Sequence, residues 1–248
     1  MITCPNVKLN LGLNVLRKRQ DGYHDIETLF IPYFGFHDTL EIIPSEGFNI
    51  EIDNCSWDPA DDITAKAYRL MKEKYGIPPV AIRLRKGSPV GAGLGGGSAD
   101  GAFAIRMMND MFSLGLCTQE LVSLSKALGS DCAFFIHNKA MIGEGRGDIL
   151  SPADIDLSGH EIKVIIPEGI SVSTADAYKG IVPKIPRKSI RQILSQPIGT
   201  WKDCLVNDFE KTVFEKYPVL ADRKQELYEE GAIYASMSGS GSSLFGIF

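Results

Sequence analysis

The chain has 248 residues, of which 44% are hydrophobic, enough to bury one large core or two modest ones. Its formal net charge of −5 gives no general footprint for nucleic acid or an anionic membrane, so an anionic ligand would need local positive groups. The five cysteines are odd in number and never spaced C-x-x-C, which argues against a disulfide framework and a zinc ribbon. No apolar run reaches the length of a signal peptide or a membrane span. We therefore expect a cytoplasmic protein without a nucleic-acid or membrane partner.

The first predicted element is a strand over residues 7–15, where apolar and polar residues alternate strictly. Such alternation is typical of a half-buried strand, so Lys8 and Asn10 are expected to project together from the face away from the core. That face is either simply solvated or it aims two polar groups at a ligand. The strand alone leaves both interpretations open.

A turn at Asp21-Gly22 presents Tyr23 and His24 just before the next predicted strand, residues 28–32. A Tyr-His pair on a turn often serves structure alone. An aromatic ring beside a donor and acceptor is also what stacking on a flat heterocycle and recognising its edge require. Strands are predicted over 39–43, 48–52 and 80–85, and a helix over 63–75.

The richest motif follows at residues 89–102, where five glycines fall within the seven positions 91–97. Glycine lets the chain turn sharply and bring several backbone N–H groups to one ligand. A helix beginning at Ser98 would add its unpaired N–H groups and the positive end of its dipole. This combination predicts a cradle for nucleotide phosphates.

Three other interpretations of this loop fit less well. Gly91, Gly93 and Gly96 match the dinucleotide fingerprint, but the preceding strand ends too early and the expected second strand with an acidic end is missing. A Walker A loop would need Gly-Lys-Ser/Thr where this chain has Gly97-Ser98-Ala99. A plain surface turn would need only one or two glycines.

A helix is predicted over 118–128, with Thr118 as its N-cap candidate and Gly129 as its end. Asp131 then stands directly before an apolar run. It is either a helix N-cap, which the local pattern favours, or a carboxylate in a partly buried site, and the two roles are compatible. Residues 143–148 predict a tight turn.

The remaining residues begin a second pattern of elements at about residue 156. Strands are predicted over 161–166, 232–237 and 244–248, and helices over 187–195, 203–216 and 218–230. A second glycine-rich turn spans 238–243. It is either a plain hairpin or a second set of backbone N–H groups directed at the same phosphates.

Together these motifs resemble those of the GHMP small-molecule kinases, in the segments Lys8-Leu9-Asn10, 89–98 and 238–241. Within that family, the segments 21–24, 129–131 and 173–178 resemble the branch whose acceptor is 4-diphosphocytidyl-2-C-methyl-D-erythritol. The resemblance covers residues 4–248. It implies an α+β fold of two lobes, 1–155 and 156–248, with the active site in the cleft between them. Members of the family usually run further than Phe248, so the second lobe is expected to be short at its end.

The resemblance also implies an activity. The family transfers the γ-phosphoryl group of ATP, with Mg²⁺, to the 2-hydroxyl of that acceptor in the non-mevalonate isoprenoid precursor pathway. Asp131 matches the catalytic aspartate and Lys8 the lysine beside it. The alternatives are a kinase of the same family for another small alcohol, of the homoserine or mevalonate type, and a non-catalytic nucleotide-binding protein on the same fold.

The same resemblance implies the binding residues. At the ATP site they are Lys86 near the adenine and, around the phosphates, Pro89, Gly91, Gly93, Leu94, Gly95, Gly96, Gly97 and Ser98, with Ser98 also near Mg²⁺. At the acceptor site, Tyr23 and Tyr178 would sandwich the cytosine, His24 would contact its polar edge, Phe30 would close the pocket, and Asn10, Thr174, Gly239 and Gly241 would complete it. Asp62 stands where the family has asparagine, so this side chain can accept but not donate a hydrogen bond to adenine.

Overall fold

The computed structural model describes all 248 residues, which form two compact units. The first unit consists of Met1–Lys8, Pro32–Val90 and Gly95–Lys139, and the second of Leu9–Ile31, Gly91–Leu94 and Ala140–Phe248. Both units contain helices and strands, so the predicted α+β class is confirmed. The lobe boundary at residues 155 and 156 stays a prediction.

The regular elements follow one another along the chain as listed here. The strands are β1 (Ile2–Thr3), β2 (Asn6–Lys18), β3 (His24–His37), β4 (Thr39–Pro44), β5 (Asn49–Asp53), β6 (Val80–Arg85), β7 (Met141–Gly145), β8 (Ile149–Pro152), β9 (Ile162–Ile165), β10 (Tyr234–Met237) and β11 (Leu244–Ile247). The helices are α1 (Ile63–Tyr75), α2 (Gly96–Met111), α3 (Thr118–Lys126), α4 (Cys132–His137), α5 (Thr174–Tyr178), α6 (Ile190–Leu194), α7 (Phe209–Lys216) and α8 (Pro218–Glu229).

The first unit is built on a four-stranded sheet with the strand order β1-β4-β6-β5. Strands β4 and β6 are antiparallel and place Leu40 opposite Leu84 and Ile42 opposite Ile82. These four side chains are buried, whereas Arg83 and Arg85, which alternate with the buried residues of β6, are exposed. The sheet therefore buries one face.

Helices α1 to α4 complete the first unit. Helix α1 has the predicted bounds and ends at Gly76, whose φ of 64° is the left-handed conformation that favours glycine at a helix end. Helix α2 begins at Gly96, two residues before the predicted start at Ser98. The reason is that Gly95, with φ of 73°, serves as its N-cap and lets the helix begin inside the glycine run. Helix α2 packs against both α1 and α4.

The second unit contains two sheets, with strand orders β2-β3-β7-β8 and β10-β11-β9. The turn predicted over 143–148 is shorter than expected and covers 146–148, because residues 143–145 belong to β7, which forms an antiparallel hairpin with β8. The core of the unit includes Val15, Leu220, Met237 and Leu244, all fully buried. Strand β2 thus contributes to the core of a unit whose strands after β3 come much later in the sequence.

The prediction that strand β2 is half-buried is wrong. All of Asn6–Val15 is buried, including Lys8 at 3% exposure and Asn10 at 2%. The alternation of apolar and polar residues is real, but the polar side chains are also enclosed. Asn10 and Asn14 compensate by hydrogen-bonding Thr28 and Glu27 of β3.

The helix predicted over 203–216 is also shorter than expected, because it begins only at Phe209. The segment before it pairs with strand β2, where Leu13 donates to Val206 O at 2.9 Å and Asp208 donates to Leu13 O at 2.8 Å. Asn207 then accepts a hydrogen bond from Phe209 N through its side chain. This pairing with a distant strand overrides the local helical pattern.

None of the helices α1 to α8 combines the length and the apolar character that a membrane span requires.

Candidate active site

The first part of the candidate site is an ion pair between Lys8 and Asp131 in the first unit. The Lys8 ammonium nitrogen lies 3.7 Å from Asp131 Oδ2. The Lys8 side chain is only 4% exposed, whereas that of Asp131 is 33% exposed. Burial lowers the pKa of Lys8 from its usual value, and the charge of Asp131 opposes that shift. An exposed carboxylate beside a buried amine can meet a ligand that the amine alone could not reach.

Asp131 occupies the N-cap position of helix α4, but its side chain makes no capping hydrogen bond. Its backbone is in the right-handed helical region, with φ of −78° and ψ of −15°, whereas a capping residue usually has extended backbone. The capping role that the local pattern favours is therefore wrong. The apolar residues after it are the anchor, since Phe134 and Phe135 are fully buried.

The second half of the glycine loop lies beside this pair. A Cβ at Gly95 would lie 3.2 Å from Lys8 Cε and 3.2 Å from Phe135 Cε2, so only glycine leaves the Lys8 stem undisturbed. Ser98, in the first turn of α2, lies near the thiol of Cys132, the residue after Asp131. Burial raises the pKa of that thiol to about 12, so it stays protonated at neutral pH. Gly97 faces open space. The first unit thus brings together Lys8, Asp131 and the N-terminus of the helix that follows the loop.

The first half of the glycine loop belongs to the second unit, where it contacts the glycine-rich turn over 238–243. The Ser243 hydroxyl donates to Ala92 O at 2.6 Å, and the Ser238 hydroxyl donates to Gly93 O at 3.2 Å. Gly93 has φ of 78°, and a Cβ there would overlap the carbonyl oxygen of Ser238. Leu94 is buried, whereas Gly91 is exposed. The turn connects β10 and β11 as a hairpin and in addition supports the first glycine loop.

Other predicted acceptor residues gather around the same turn. The Asn10 backbone N–H donates to Ser238 Oγ at 3.2 Å. Thr174, at the start of α5, places its hydroxyl 3.3 Å from that of Ser240. Gly239 accepts a hydrogen bond from the buried Asn207 side chain at 2.8 Å, and Gly241 has φ of 92°. Asn10, Thr174, Gly239 and Gly241 are therefore brought together within the second unit.

The aromatic residues form a different arrangement from the expected sandwich of Tyr23 and Tyr178. The ring of Tyr178 stacks on His24, with centroids 4.5 Å apart and an interplanar angle of 14°. The ring of Tyr178 is also nearly perpendicular to that of Phe209, with centroids 4.8 Å apart. Tyr23 is 53% exposed, and the Arg146 guanidinium lies 3.8 Å from the centre of its ring. Burial lowers the pKa of His24, so its ring is neutral at physiological pH.

Two of the predicted site residues, Phe30 and Lys86, are almost fully buried. Phe30 is 2% exposed and packs against Gly143 of β7, which has no room for a side chain. The Lys86 ammonium is enclosed by Asp38 and by Asp100, whose Oδ2 lies 2.6 Å away. Pro89, which precedes the glycine loop, is partly exposed.

The sequence did not predict Asp38 and Asp100, the partners of Lys86, as site residues. It did not predict Arg146 either. Burial disfavours the Lys86 ammonium, but the two carboxylates outweigh it and raise the pKa of Lys86. Burial also raises the pKa of Asp100 well above its usual range. Asp38 and Asp100 follow no recognisable motif, so only the folded chain reveals this cluster.

Asp62, which departs from the family pattern, has a structural role. Its Oδ1 accepts hydrogen bonds from Thr64 N at 2.8 Å and from the Thr64 hydroxyl at 2.6 Å, which caps helix α1. Its Oδ2 accepts from Trp57 Nε1 at 3.0 Å. Both oxygens are therefore engaged within the first unit.

Comparison with known proteins agrees with this geometry. Residues 62–139 match the GHMP kinases N terminal domain and residues 189–248 the GHMP kinases C terminal domain. The chain is 50% identical over 251 residues to a 4-diphosphocytidyl-2-C-methyl-D-erythritol kinase of Cytophaga hutchinsonii, covering 100% of this chain and 92% of that protein. A Bacteroides fragilis protein of the same description is 46% identical over 259 residues, with the same coverage. The chain belongs to the 4-diphosphocytidyl-2-C-methyl-D-erythritol kinase family.

Solved structures support the same assignment. A crystal structure of a 4-(cytidine 5'-diphospho)-2C-methyl-D-erythritol kinase matches with a TM-score of 0.81 at 28% identity, covering 100% of this chain and 90% of that one. The mevalonate kinase of Methanococcus jannaschii matches with a TM-score of 0.68 at 13% identity, covering 100% and 90%, and shows the shared GHMP kinase fold alone. As a member of the 4-diphosphocytidyl-2-C-methyl-D-erythritol kinase family, the protein is a phosphotransferase that uses ATP as its phosphate donor.

The packing of Gly93 leads to a prediction for stability. Gly93→Ala should lower the free energy of unfolding by roughly 1–3 kcal/mol, because alanine is strained at positive φ and its Cβ would push the 238–243 turn away. Urea unfolding of both proteins measures this. Gly97→Ala is the matched control: it faces open space inside a helix and should raise the free energy of unfolding by about 0.5–1 kcal/mol. A Gly93→Ala protein as stable as the Gly97→Ala protein would contradict the contact.

Proposed function

We propose that the protein transfers the γ-phosphoryl group of ATP to the 2-hydroxyl of 4-diphosphocytidyl-2-C-methyl-D-erythritol, in the non-mevalonate isoprenoid precursor pathway. The observation that carries this proposal is the Lys8–Asp131 pair, 3.7 Å apart, beside Gly95 at the N-terminus of helix α2. Phosphoryl transfer needs precisely this kind of positioning and charge stabilisation rather than covalent catalysis. The relatives named for this kinase support the choice of acceptor.

In the proposed reaction, Asp131 orients the acceptor hydroxyl and receives its proton as the new bond to phosphorus forms. The bond between the γ-phosphorus and the bridging oxygen breaks, and ADP leaves. Lys8 offsets the negative charge on the phosphoryl oxygens during the transfer. Its burial strengthens this effect, because a charge removed from water is poorly screened.

The ATP phosphates are assigned to residues 91–98. Helix α2 has 16 residues, and its first backbone N–H groups have no partner within the helix, so an anion at this end satisfies them. No group of three or more His, Cys, Asp or Glu side chains could hold a metal ion by itself. The Ser98 hydroxyl, in the first turn of α2, would lie near a Mg²⁺ ion that arrives with the nucleotide, since Mg²⁺ prefers oxygen ligands. When bound, Mg²⁺ supplies neutralising charge on those phosphates.

The cytosine is assigned to the aromatic residues of the second unit. Tyr178 already holds one flat ring, that of His24, at stacking distance. A neutral imidazole has one donor and one acceptor nitrogen, which suits recognition of the polar edge of a pyrimidine. Tyr23 remains the proposed second face of the base, with Arg146 against its ring. Homoserine and mevalonate have no base to stack, so these aromatic residues favour the cytidyl acceptor over those alternatives.

The choice of acceptor is tested by ADP release with ATP, Mg²⁺ and a panel of alcohols. Turnover is expected with 4-diphosphocytidyl-2-C-methyl-D-erythritol and not with methylerythritol phosphate, homoserine or mevalonate, because only the first carries the base. Turnover with another member of the panel would contradict the base assignment while keeping the kinase. ATP binding without any turnover would favour a non-catalytic protein.

Asp131→Asn separates catalysis from binding. We expect turnover to fall by roughly 10²–10⁴-fold, since the amide cannot take the proton, with the ATP dissociation constant unchanged within a few-fold. Steady-state kinetics and calorimetric ATP titration give the two quantities. Asp110→Asn, on the exposed end of the same unit's helix α2, is the matched control and should keep both. Equal losses of turnover and of ATP affinity in Asp131→Asn would contradict the assigned role.

Tyr178→Ala tests the base site. The variant should raise the KM for the cytidyl acceptor by the equivalent of roughly 1–3 kcal/mol, because one stacking surface is lost, and leave the KM for ATP unchanged. Tyr178→Phe keeps the ring and should retain the wild-type KM for both substrates. An unchanged acceptor KM in Tyr178→Ala would remove this residue from the proposed site.

A further inference from the structure

The first unit contains a buried group of three charged side chains that the proposed reaction does not use. This charge cluster consists of Asp38, Lys86 and Asp100. The Lys86 ammonium donates to Asp100 Oδ2 at 2.6 Å and to Asp38 Oδ2, and the three side chains are between 0% and 4% exposed. Burial of charged groups costs free energy, and apolar side chains of the same volume often stabilise a fold as well or better. Stability alone is therefore a weak reason for such a cluster.

The charge cluster joins three elements that bracket the glycine loop. Asp38 lies between strands β3 and β4, Lys86 follows strand β6, and Asp100 lies in the second turn of helix α2. The chain leaves the cluster after Lys86, passes through the glycine loop, and returns to it at Asp100. The ion pair between those two residues thus closes the loop at its base.

The Asp38 side chain fixes the start of the loop by accepting hydrogen bonds from the loop backbone. Its Oδ1 accepts hydrogen bonds from Gly87 N and Ser88 N, each at 2.7 Å. The Ser88 hydroxyl donates to Asp38 Oδ2 at 2.8 Å. Ser88 in turn packs against Gly96, the first residue of helix α2, so tightly that Gly96 has no room for a side chain. The two ends of the loop are therefore in contact at Ser88 and Gly96. The ion pair between Lys86 and Asp100 also connects them.

We propose that the charge cluster is a positioning device for ATP, which holds the two ends of the glycine loop at the separation that its phosphate-binding conformation requires. Asp38 and Asp100 are then positioning residues that act through the loop. The proposal rests on the proposed role of residues 91–98 in phosphate binding. Three glycines at positive φ, Gly91, Gly93 and Gly95, would leave an untethered loop many conformations. Fixing the two ends of the loop removes part of that freedom before ATP binds, so less binding free energy is lost in ordering the loop.

Asp100→Leu is the most direct test. It cuts the link to helix α2 and leaves Lys86 paired with Asp38, so no buried amine is left without a partner. We expect the KM for ATP to rise roughly 10- to 100-fold, the usual effect of a small displacement of a binding group, while the KM for the cytidyl acceptor stays unchanged. Asp100→Asn keeps an oxygen for Lys86 and should restore the ATP KM to within about threefold of wild type.

Steady-state kinetics with each substrate varied in turn separates positioning from a purely structural role. Loss of folded protein lowers kcat through the fraction of active enzyme and leaves both KM values unchanged. Glu27→Leu provides the matched structural control, because it removes a buried carboxylate of the second unit that accepts from Asn14 and Ile190. It should lower the melting temperature without changing the KM for ATP.

The proposal would be overturned if Asp100→Leu had the wild-type KM for ATP while Gly93→Ala raised the KM for ATP. If Gly93→Ala also leaves the ATP KM unchanged, the assignment of the phosphates to this loop fails instead. A rise of both KM values in Asp100→Leu without rescue by Asp100→Asn would likewise contradict a specific effect on the ATP loop.

Discussion

Lys8 has its charged amine in a position that is almost closed to water, and much of the candidate site depends on how the chain holds it there. Strand β2 is buried on both faces, so the Lys8 side chain cannot turn outward to solvent. Asp131 supplies the opposing charge, and the fully buried Phe134 and Phe135 anchor the short helix that begins after it. Burial lowers the pKa of Lys8 and Asp131 raises it, so the charge of the amine depends on this carboxylate.

The glycine loop meets two different steric demands with one residue type. At Gly95 the demand comes from side chains, since Lys8 and Phe135 occupy the space that a Cβ would need. At Gly93 it comes from backbone, since the carbonyl oxygens of Ser238 and Gly241 approach it. Both glycines also have positive φ, which other residues rarely adopt. The spacing of the glycines therefore reflects what surrounds each position as much as the shape of a bound phosphate.

The aromatic residues connect local sequence with long-range packing. Tyr23 and His24 are neighbours on one hairpin, yet they take different partners: Arg146 for Tyr23 and Tyr178 for His24. Tyr178 also packs perpendicular to Phe209 at the start of helix α7. A ring held by two aromatic neighbours is restricted before any ligand arrives, which lowers the entropy that binding must remove.

The sequence by itself determined the α+β class through its resemblance to a known family. Local patterns determined the exact bounds of helix α1 and the identity of the glycine-rich loop. These features depend on neighbours within a few positions, where periodicity, helix ends and glycine are informative. Only the tertiary structure decided that both faces of β2 are buried, that residues 206–208 pair with that strand instead of forming a helix, and that Asp131 pairs with Lys8 instead of capping α4. The charge cluster belongs to the same class, because Asp38 and Asp100 are 62 positions apart in sequence and come together around Lys86. Such contacts depend on which distant segment fills the space beside a residue, and no local pattern records that.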